Sequence, residues 1–99
     1  PRDVQLELTE AEFPEVTAVP VPEVTAEALE RLKEAARLIN EAERPVIISG
    51  HGILTSGANA ELKALAEQSG IPVITTLLGL GGFPGGHPLS MGMLGMHGM

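Results

Sequence analysis

The spacing of apolar residues predicts one long amphipathic helix in the first half of the chain. Four apolar residues recur at intervals of three and four positions, which places them on one helical face: Leu29, Leu32, Ala36 and Ile39. Thr25 is a suitable N-cap residue, and Glu27 in the first turn favours the helix dipole. Pro45 cannot continue a helix. We therefore predict a helix over about Ala26–Ala42, with its charged residues on the solvent side.

Two short apolar runs rich in β-branched residues predict buried parallel strands. Val46–Ser49 follows the first helix, and Val73–Thr76 follows a second helical stretch. This second helix is expected to begin at Ser56 or Gly57 and to stop at Gly70. Strand, helix and strand at this spacing predict a right-handed βαβ unit. The predicted fold class is α/β, a partial Rossmann-like parallel sheet to which this chain supplies about two strands and two helices.

Both ends of the chain lack a helical or strand period. Residues 1–24 include three prolines between Phe13 and Pro22, which favour extended conformation and predict an interdomain linker. Residues 79–99 hold eight of the twelve glycines and all four methionines, and we predict a functional loop that packs against another group. Because the chain begins with Pro1 and stops within this glycine-rich run, we expect a fragment of a longer protein.

Charge and composition argue against several partners. A net charge of −7 argues against nucleic acid and against an anionic membrane surface, since both are bound by basic patches. The absence of cysteine excludes disulfides, thiolate metal sites and a cysteine nucleophile, and fits a cytoplasmic protein. No apolar run approaches the ~20 residues of a membrane-spanning helix.

The turn Gly50-His51-Gly52, directly after the first predicted strand, is the pattern expected where backbone approaches a ligand closely. Glycine lacks the Cβ atom that would keep a phosphate or a flavin at a distance. The dinucleotide fingerprint is incomplete, because Thr55 occupies its third glycine position and Thr76 stands where an acidic residue is expected. A tight turn without a ligand is the alternative.

The methionine-rich segment that ends the chain allows a second hypothesis, a metal site. Thioether and imidazole groups at close spacing suit Cu(I), whereas methionines also fill irregular gaps around a bulky ligand or a domain interface. The three histidines have no serine or carboxylate at a spacing that reveals a catalytic triad. We expect His87, which precedes Pro88 in a loop, to be structural.

Several motifs together resemble the middle domain of acetolactate (acetohydroxyacid) synthase large catalytic subunits, which depend on thiamine diphosphate. The motifs that carry the resemblance are Thr75–Pro84, His87–Ser90 and Met93–Gly98. Arg44–Gly52 and Gly70–Val73 match upstream in the same order, and Pro1–Gln5 resembles the point where the N-terminal domain meets a linker. The resemblance is weak over residues 6–43 and strong over 44–98. It implies a linker over residues 1–24 and the first part of an FAD-binding middle domain over 25–99.

The resemblance also implies an activity. Members of the family decarboxylate pyruvate on thiamine diphosphate and add the product to a second 2-oxoacid, pyruvate or 2-oxobutyrate, in branched-chain amino-acid biosynthesis. They bind FAD, which takes no net redox part, and they form homo-oligomers that a regulatory subunit can join. The activating glutamate and the diphosphate–Mg²⁺ site belong to the N- and C-terminal domains. No catalytic residue and no metal ligand is therefore expected in this chain.

Ten residues correspond by position to the flavin contacts of the family: Gly50, His51, Gly52, Thr76, Leu77, Leu78, Leu94, Gly95, Met96 and His97. Met96 is also expected to face the substrate channel. Arg2 stands at the expected channel mouth, where the family usually has lysine, and keeps the charge but not the shape. His51 is bulkier than the small residue usual between the two glycines.

Three other functions stay open at the level of sequence. The chain is also compatible with another thiamine-diphosphate carboligase or oxidase, because related enzymes share the strand and turn pattern. A stand-alone nucleotide-binding module would explain the glycine turn alone. A methionine-rich metal binder would explain only the last residues.

Overall fold

The computed structural model describes residues 2–18 and 20–98. Pro1, Val19 and Met99, which fall in the predicted linker and in the glycine-rich segment, lie outside the described residues. The elements in chain order are α1 (Arg2–Leu6), α2 (Ala26–Glu41), β1 (Ile47–Ser49), α3 (Gly52–Ser56), α4 (Asn59–Ser69), β2 (Val73–Thr75), a 3-10 helix (Leu77–Gly79) and β3 (Ser90–Met93).

The three strands form one parallel sheet in the order β1-β2-β3. The connection from β1 to β2 contains α3 and α4, whereas the connection from β2 to β3 contains the 3-10 helix and no α-helix among the described residues. The predicted α/β class with a parallel sheet is therefore confirmed. Both predicted strands are present to within one residue.

The structure contains three elements beyond the predicted two strands and two helices, namely β3, α1 and α3. The sequence predicts a loop throughout residues 79–99, yet four of these residues form β3. Their sequence, Ser-Met-Gly-Met, is short, contains a glycine and has no β-branched residue, and the strand pairs with β2 in an irregular register. Gly57 adopts a left-handed conformation with φ of 69° and ends α3, which lies before the predicted second helix. The predicted second helix corresponds to α4, which begins at Asn59, two to three residues after the predicted start.

Helix α2 agrees with its prediction to within one residue. The Thr25 hydroxyl accepts a hydrogen bond from the Ala28 amide at 3.1 Å, which is the predicted N-cap. Ion pairs such as Glu27–Arg31 lie on its exposed surface. The helix buries no residue, and the predicted apolar stripe is partly exposed, with Leu29 and Leu32 at 49% and 58%. None of the helices formed by the described residues is long and apolar enough to cross a membrane.

The buried core lies between α4 and the sheet. Leu62 and Ala66 of α4 pack with Val73 of β2 and with Phe83, and Ile47, Ile53 and Leu89 surround them. Phe83 comes from the glycine-rich segment, so part of that segment packs against the fold as predicted. This packing holds one face of the sheet and fixes the positions where the three strands end.

His87 attaches the segment before β3 to α4, which supports its predicted structural role. The ring atom Nδ1 accepts a hydrogen bond from the Leu89 amide at 3.1 Å, and Nε2 lies 3.1 Å from Oε1 of Glu67. Because an amide can only donate, Nδ1 is the unprotonated nitrogen and Nε2 donates to the carboxylate. Lys63 pairs with the same carboxylate at 2.8 Å.

We expect this attachment to weaken in acid. The hydrogen bonds from Lys63, first, and from His87, second, hold the pKa of the Glu67 carboxyl below its ordinary value. A carboxyl whose folded pKa is lowered stabilises the fold above its unfolded pKa, and this contribution is lost as the pH falls through the folded pKa. Glu67→Gln should therefore raise the exchange rate of the Leu89 and Ser90 amide hydrogens at about pH 7. The difference in exchange rate between this variant and the unsubstituted protein should become smaller towards about pH 4.

Glu61→Gln is the matched control, because Glu61 lies on the same helix and forms no ion pair with the described residues. Amide exchange followed by NMR at each pH compares the two variants with the parent. Equal exchange in the Glu67→Gln variant and the parent near neutral pH would contradict the assigned attachment.

Candidate functional site at the carboxyl edge of the sheet

The carboxyl ends of the three parallel strands meet at one edge of the sheet, which we call the carboxyl edge. Three segments leave the sheet there: 50–52 after β1, 76–79 after β2 and 94–98 after β3. Open parallel sheets bind ligands at this edge. All ten residues that the resemblance assigns to a flavin site lie in these three segments.

The first two segments are joined by direct contacts. The Thr76 amide donates to the Ser49 carbonyl at 2.9 Å, and Nδ1 of His51 lies 3.0 Å from the Leu78 carbonyl oxygen. The backbone of Gly79 lies so close to Ser49 and Gly50 that a Cβ atom at position 79 would overlap the Ser49 carbonyl oxygen. The second segment therefore packs directly on the first turn.

The 3-10 helix presents two leucines at this edge. Oγ1 of Thr76 accepts a hydrogen bond from the Gly79 amide at 3.1 Å and so caps the helix. The Leu77 and Leu78 side chains remain 66% and 69% exposed. An apolar group of a ligand would thus meet aliphatic carbon here rather than polar backbone.

The third segment is held to β2 and folds back on itself. The Leu94 amide donates to the Thr75 carbonyl at 3.0 Å. Gly95 has a φ of 112°, which only glycine adopts readily, and the Gly98 amide donates to the Gly95 carbonyl at 2.9 Å. Met96 is 92% exposed at the tip of this turn. The β3 strand therefore brings Met96 and His97 to the same edge as the two earlier turns.

No contact with the described residues explains the two glycines of the first turn. A Cβ atom on Gly52 would meet no described atom within 4 Å, and one on Gly50 would make only an ordinary contact with Thr76 at 3.8 Å. Neither glycine has a positive φ. The space beside them is therefore open, and it fits a ligand that approaches the backbone.

The three segments at the carboxyl edge have no acidic side chain. The stretches 45–60 and 70–99 contain no Asp, Glu, Lys or Arg, so their only ionisable side chains are His51, His87 and His97. All thirteen acidic residues lie elsewhere in the sequence, although the chain has a net charge of −7. Within the described ranges, no three His, Cys, Asp or Glu side chains come together as metal ligands. An anionic group at this edge would meet no like charge on the adjoining segments.

Arg2 is not brought to this edge by any recorded contact. It lies in α1, which buries no residue, and no hydrogen bond or ion pair between described residues joins it to the three segments. Its role at a channel mouth stays a prediction.

Ser49 is a feature of the edge that sequence reasoning missed. This last residue of β1 is 3% exposed, and its hydroxyl has no hydrogen-bond partner among the described residues. A serine at the end of an apolar strand gives no sign of this in the sequence, because burial depends on residues distant in the chain, such as Gly79, whose backbone lies against that of Ser49.

A groove lies at the opposite edge of the sheet. It encloses about 500 Å³ between the end of α2 and the end of α4, where the chain enters β1 and β2, and Glu43, Arg44 and Pro72 are among the residues that line it. The groove is open, and none of the ten predicted contact residues lines it. Its position at the amino ends of the strands separates it from the carboxyl edge.

Comparison with known proteins agrees with the sequence motifs. The model of the family described as "Thiamine pyrophosphate enzyme, central domain" matches residues 32–99. Over 68 residues, 69% of the chain, it is 59% identical to a probable acetolactate synthase large subunit of Methanocaldococcus jannaschii. It is 43% identical over 99 residues, 99% of the chain, to the acetolactate synthase large subunit of Corynebacterium glutamicum. It is 52% identical over 71 residues, 72% of the chain, to acetolactate synthase 1, chloroplastic, of Zea mays.

The matched segments make up 12%, 16% and 11% of the lengths of these three relatives. The chain thus corresponds to a small part of each relative, and the match to the family extends over more than half of the chain. The chain therefore belongs to the thiamine pyrophosphate enzyme family, and its residues 32–99 are part of the family's central domain.

Proposed function

We propose that this chain is part of an acetolactate synthase large subunit and that its carboxyl edge binds FAD. The observation that carries the proposal is the convergence of the three segments 50–52, 76–79 and 94–98 at one edge of a parallel sheet. The relatives named above support the assignment to this enzyme, because each bears the name acetolactate synthase.

The carboxyl edge fits a flavin nucleotide in shape and in charge. The open space beside Gly50 and Gly52 would accept the backbone approach of a phosphate or ribose. The exposed Leu77 and Leu78 would contact apolar parts of the cofactor, and Met96 and His97 would close the site from the third segment. No carboxylate on these segments would repel the diphosphate. When bound, FAD would take no net part in redox chemistry.

The chemistry of the whole enzyme would depend on groups outside this chain. Thiamine diphosphate and Mg²⁺ would be held by other domains, together with the glutamate that activates thiamine. In the proposed enzyme, two 2-oxoacids condense in branched-chain amino-acid biosynthesis, and Met96 and Arg2 face the substrate channel. The proposal includes a cytoplasmic homo-oligomer that binds a regulatory subunit, with residues 1–24 as an interdomain linker.

A chimera tests the flavin site. In this protein, referred to below as the chimera, residues 1–99 replace the segment that they match in the Corynebacterium glutamicum relative. We expect Gly52→Val to lower the FAD retained after gel filtration about tenfold or more, because the valine methyl groups enter the space proposed for the cofactor. Flavin absorbance relative to protein measures retention.

Gly86→Val is the matched control. Gly86 also has no described atom within 4 Å of an added Cβ and no positive φ, but it lies in the loop before β3. FAD retention should be unchanged in this variant. Equal retention in the Gly52→Val and Gly86→Val variants would remove the first turn from the site.

A further inference from the structure

We propose that His51 is a positioning residue that holds the 3-10 helix in place and thereby presents Leu77 and Leu78 to the nucleotide. The inference rests on the proposed function, because it assigns a task within the flavin site. One nitrogen of the His51 ring, Nδ1, contacts the 3-10 helix, and the other, Nε2, forms no hydrogen bond with the described residues.

The hydrogen bond to Leu78 fixes the protonation of the neutral ring. A carbonyl oxygen only accepts, so Nδ1 of His51 must carry the proton that it donates over 3.0 Å. Nε2 forms no hydrogen bond with any described residue and is left as the acceptor. His87 shows the opposite arrangement, since its Nδ1 accepts from the Leu89 amide. The two rings are therefore held as different tautomers in one chain.

The contact matters because the tip of the 3-10 helix has few other attachments. Its ends are fixed by the Thr76 cap and by the packing of Gly79 on Ser49. Between these points, Leu77 and Leu78 are mostly exposed, so their side chains contribute little packing. His51 provides the hydrogen bond that joins the Leu78 carbonyl to the turn after β1. Its loss frees the two leucines to move away from the cofactor.

The chain provides a matched contact for comparison. Nδ2 of Asn59, the first residue of α4, donates to the Gly81 carbonyl at 3.3 Å. This bond also joins a side chain of the β1–β2 connection to a backbone carbonyl of the next loop. It does not reach Leu77 or Leu78, so its removal leaves their presentation intact.

Two amide substitutions separate the roles of the two ring nitrogens. The asparagine amide nitrogen is two bonds from Cβ, as Nδ1 is, whereas the glutamine amide nitrogen is three bonds away, as Nε2 is. In the FAD-loaded chimera, His51→Asn should keep the flavin release rate within about twofold of the parent. His51→Gln and His51→Ala should release flavin roughly 5- to 10-fold faster, the effect of one lost hydrogen bond. Asn59→Ala should match the parent.

Other patterns overturn the proposal. Fast release from His51→Asn with parental release from His51→Gln would show that Nε2 contacts the ligand directly. Fast flavin release from all three His51 variants would show that the shape of the imidazole ring, and not its Nδ1 hydrogen bond, retains the flavin. Parental release from all three would show that the hydrogen bond from His51 to Leu78 has no role in flavin binding. Fast release from Asn59→Ala would show that any anchor of this loop suffices.

Hydrogen exchange of the flavin-free chimera separates this inference from the proposed function. Exchange over residues 76–80 should be faster in His51→Ala and His51→Gln than in the parent and unchanged in His51→Asn. If the parent chimera has this exchange pattern but binds no FAD, the proposed function fails while the contact stands. If it binds FAD and the exchange pattern is missing, the positioning role fails alone.

Discussion

Replacing Gly79 by alanine is expected to destabilise the carboxyl edge by about 3 kcal/mol, the upper range for overpacking in a close-packed region. The added Cβ atom would overlap the Ser49 carbonyl oxygen and press on the Gly50 Cα atom. Both neighbours belong to the backbone of β1 and its turn, so no side-chain rotation relieves the overlap. The melting temperature and the flavin content of the chimera should both fall.

Gly86→Ala provides the control for this prediction, because its Cβ atom would meet no described atom and its φ is not positive. That variant should keep the melting temperature and flavin content of the parent chimera. Parental values for Gly79→Ala would mean that the 3-10 helix does not pack on β1 as described.

The isolated chain is expected to form no acetolactate above a control without protein when it is supplied with pyruvate, thiamine diphosphate, Mg²⁺ and FAD. The proposed reaction would require a placed acid or base, which contributes roughly 10²–10⁴-fold, and metal ligands that would hold the diphosphate of the cofactor. The three segments of the carboxyl edge contain no acidic side chain. Acetolactate measured over time in a coupled or colorimetric assay tests this.

The chimera is the positive control, and it should form acetolactate because its other domains supply those groups. Replacing Met96 and His97 in the chimera by bulky or charged residues should abolish the activity, since both positions are proposed to line the flavin site and Met96 also the substrate channel. Turnover by the isolated chain would contradict the proposal that other domains of the enzyme supply the chemistry.

The elements that the sequence predicts are those with a strong local pattern. Helix α2 has an apolar stripe and an N-cap at Thr25, and β1 and β2 are runs of β-branched residues. Gly70 ends α4 in a left-handed conformation with φ of 69°, as its position suggests. In each case the information lies within a few neighbouring residues, so no knowledge of the tertiary structure is needed.

The elements that the sequence does not reveal depend on partners distant in the chain. Strand β3 contains Gly92 and has no strand period, and it forms because β2 offers a free edge. The close approach of Gly79 to Ser49 joins residues thirty positions apart. The contact between His51 and Leu78 likewise follows from the positions of two strand ends.

The convergence of the three segments at the carboxyl edge can be predicted only in part from the sequence, because it depends on a strand that has no strong local pattern. The turns after the first two strands could be expected at one edge, because parallel strands share the direction of their carboxyl ends. The third segment, Leu94–Gly98, was assigned by resemblance alone. Its place beside the other two follows from β3, which the sequence did not predict. The burial of the Ser49 side chain has no signal in the sequence.

Hydrogen–deuterium exchange of the chimera with and without FAD tests the central claim most directly, that the nucleotide lies at the carboxyl edge. We expect FAD to slow exchange in three separate segments, 50–54, 77–80 and 94–98, and to leave exchange in the loop 84–88 and in the groove residues 40–45 unchanged. Protection confined to the groove at the opposite edge, or to segments outside residues 1–99, would contradict it.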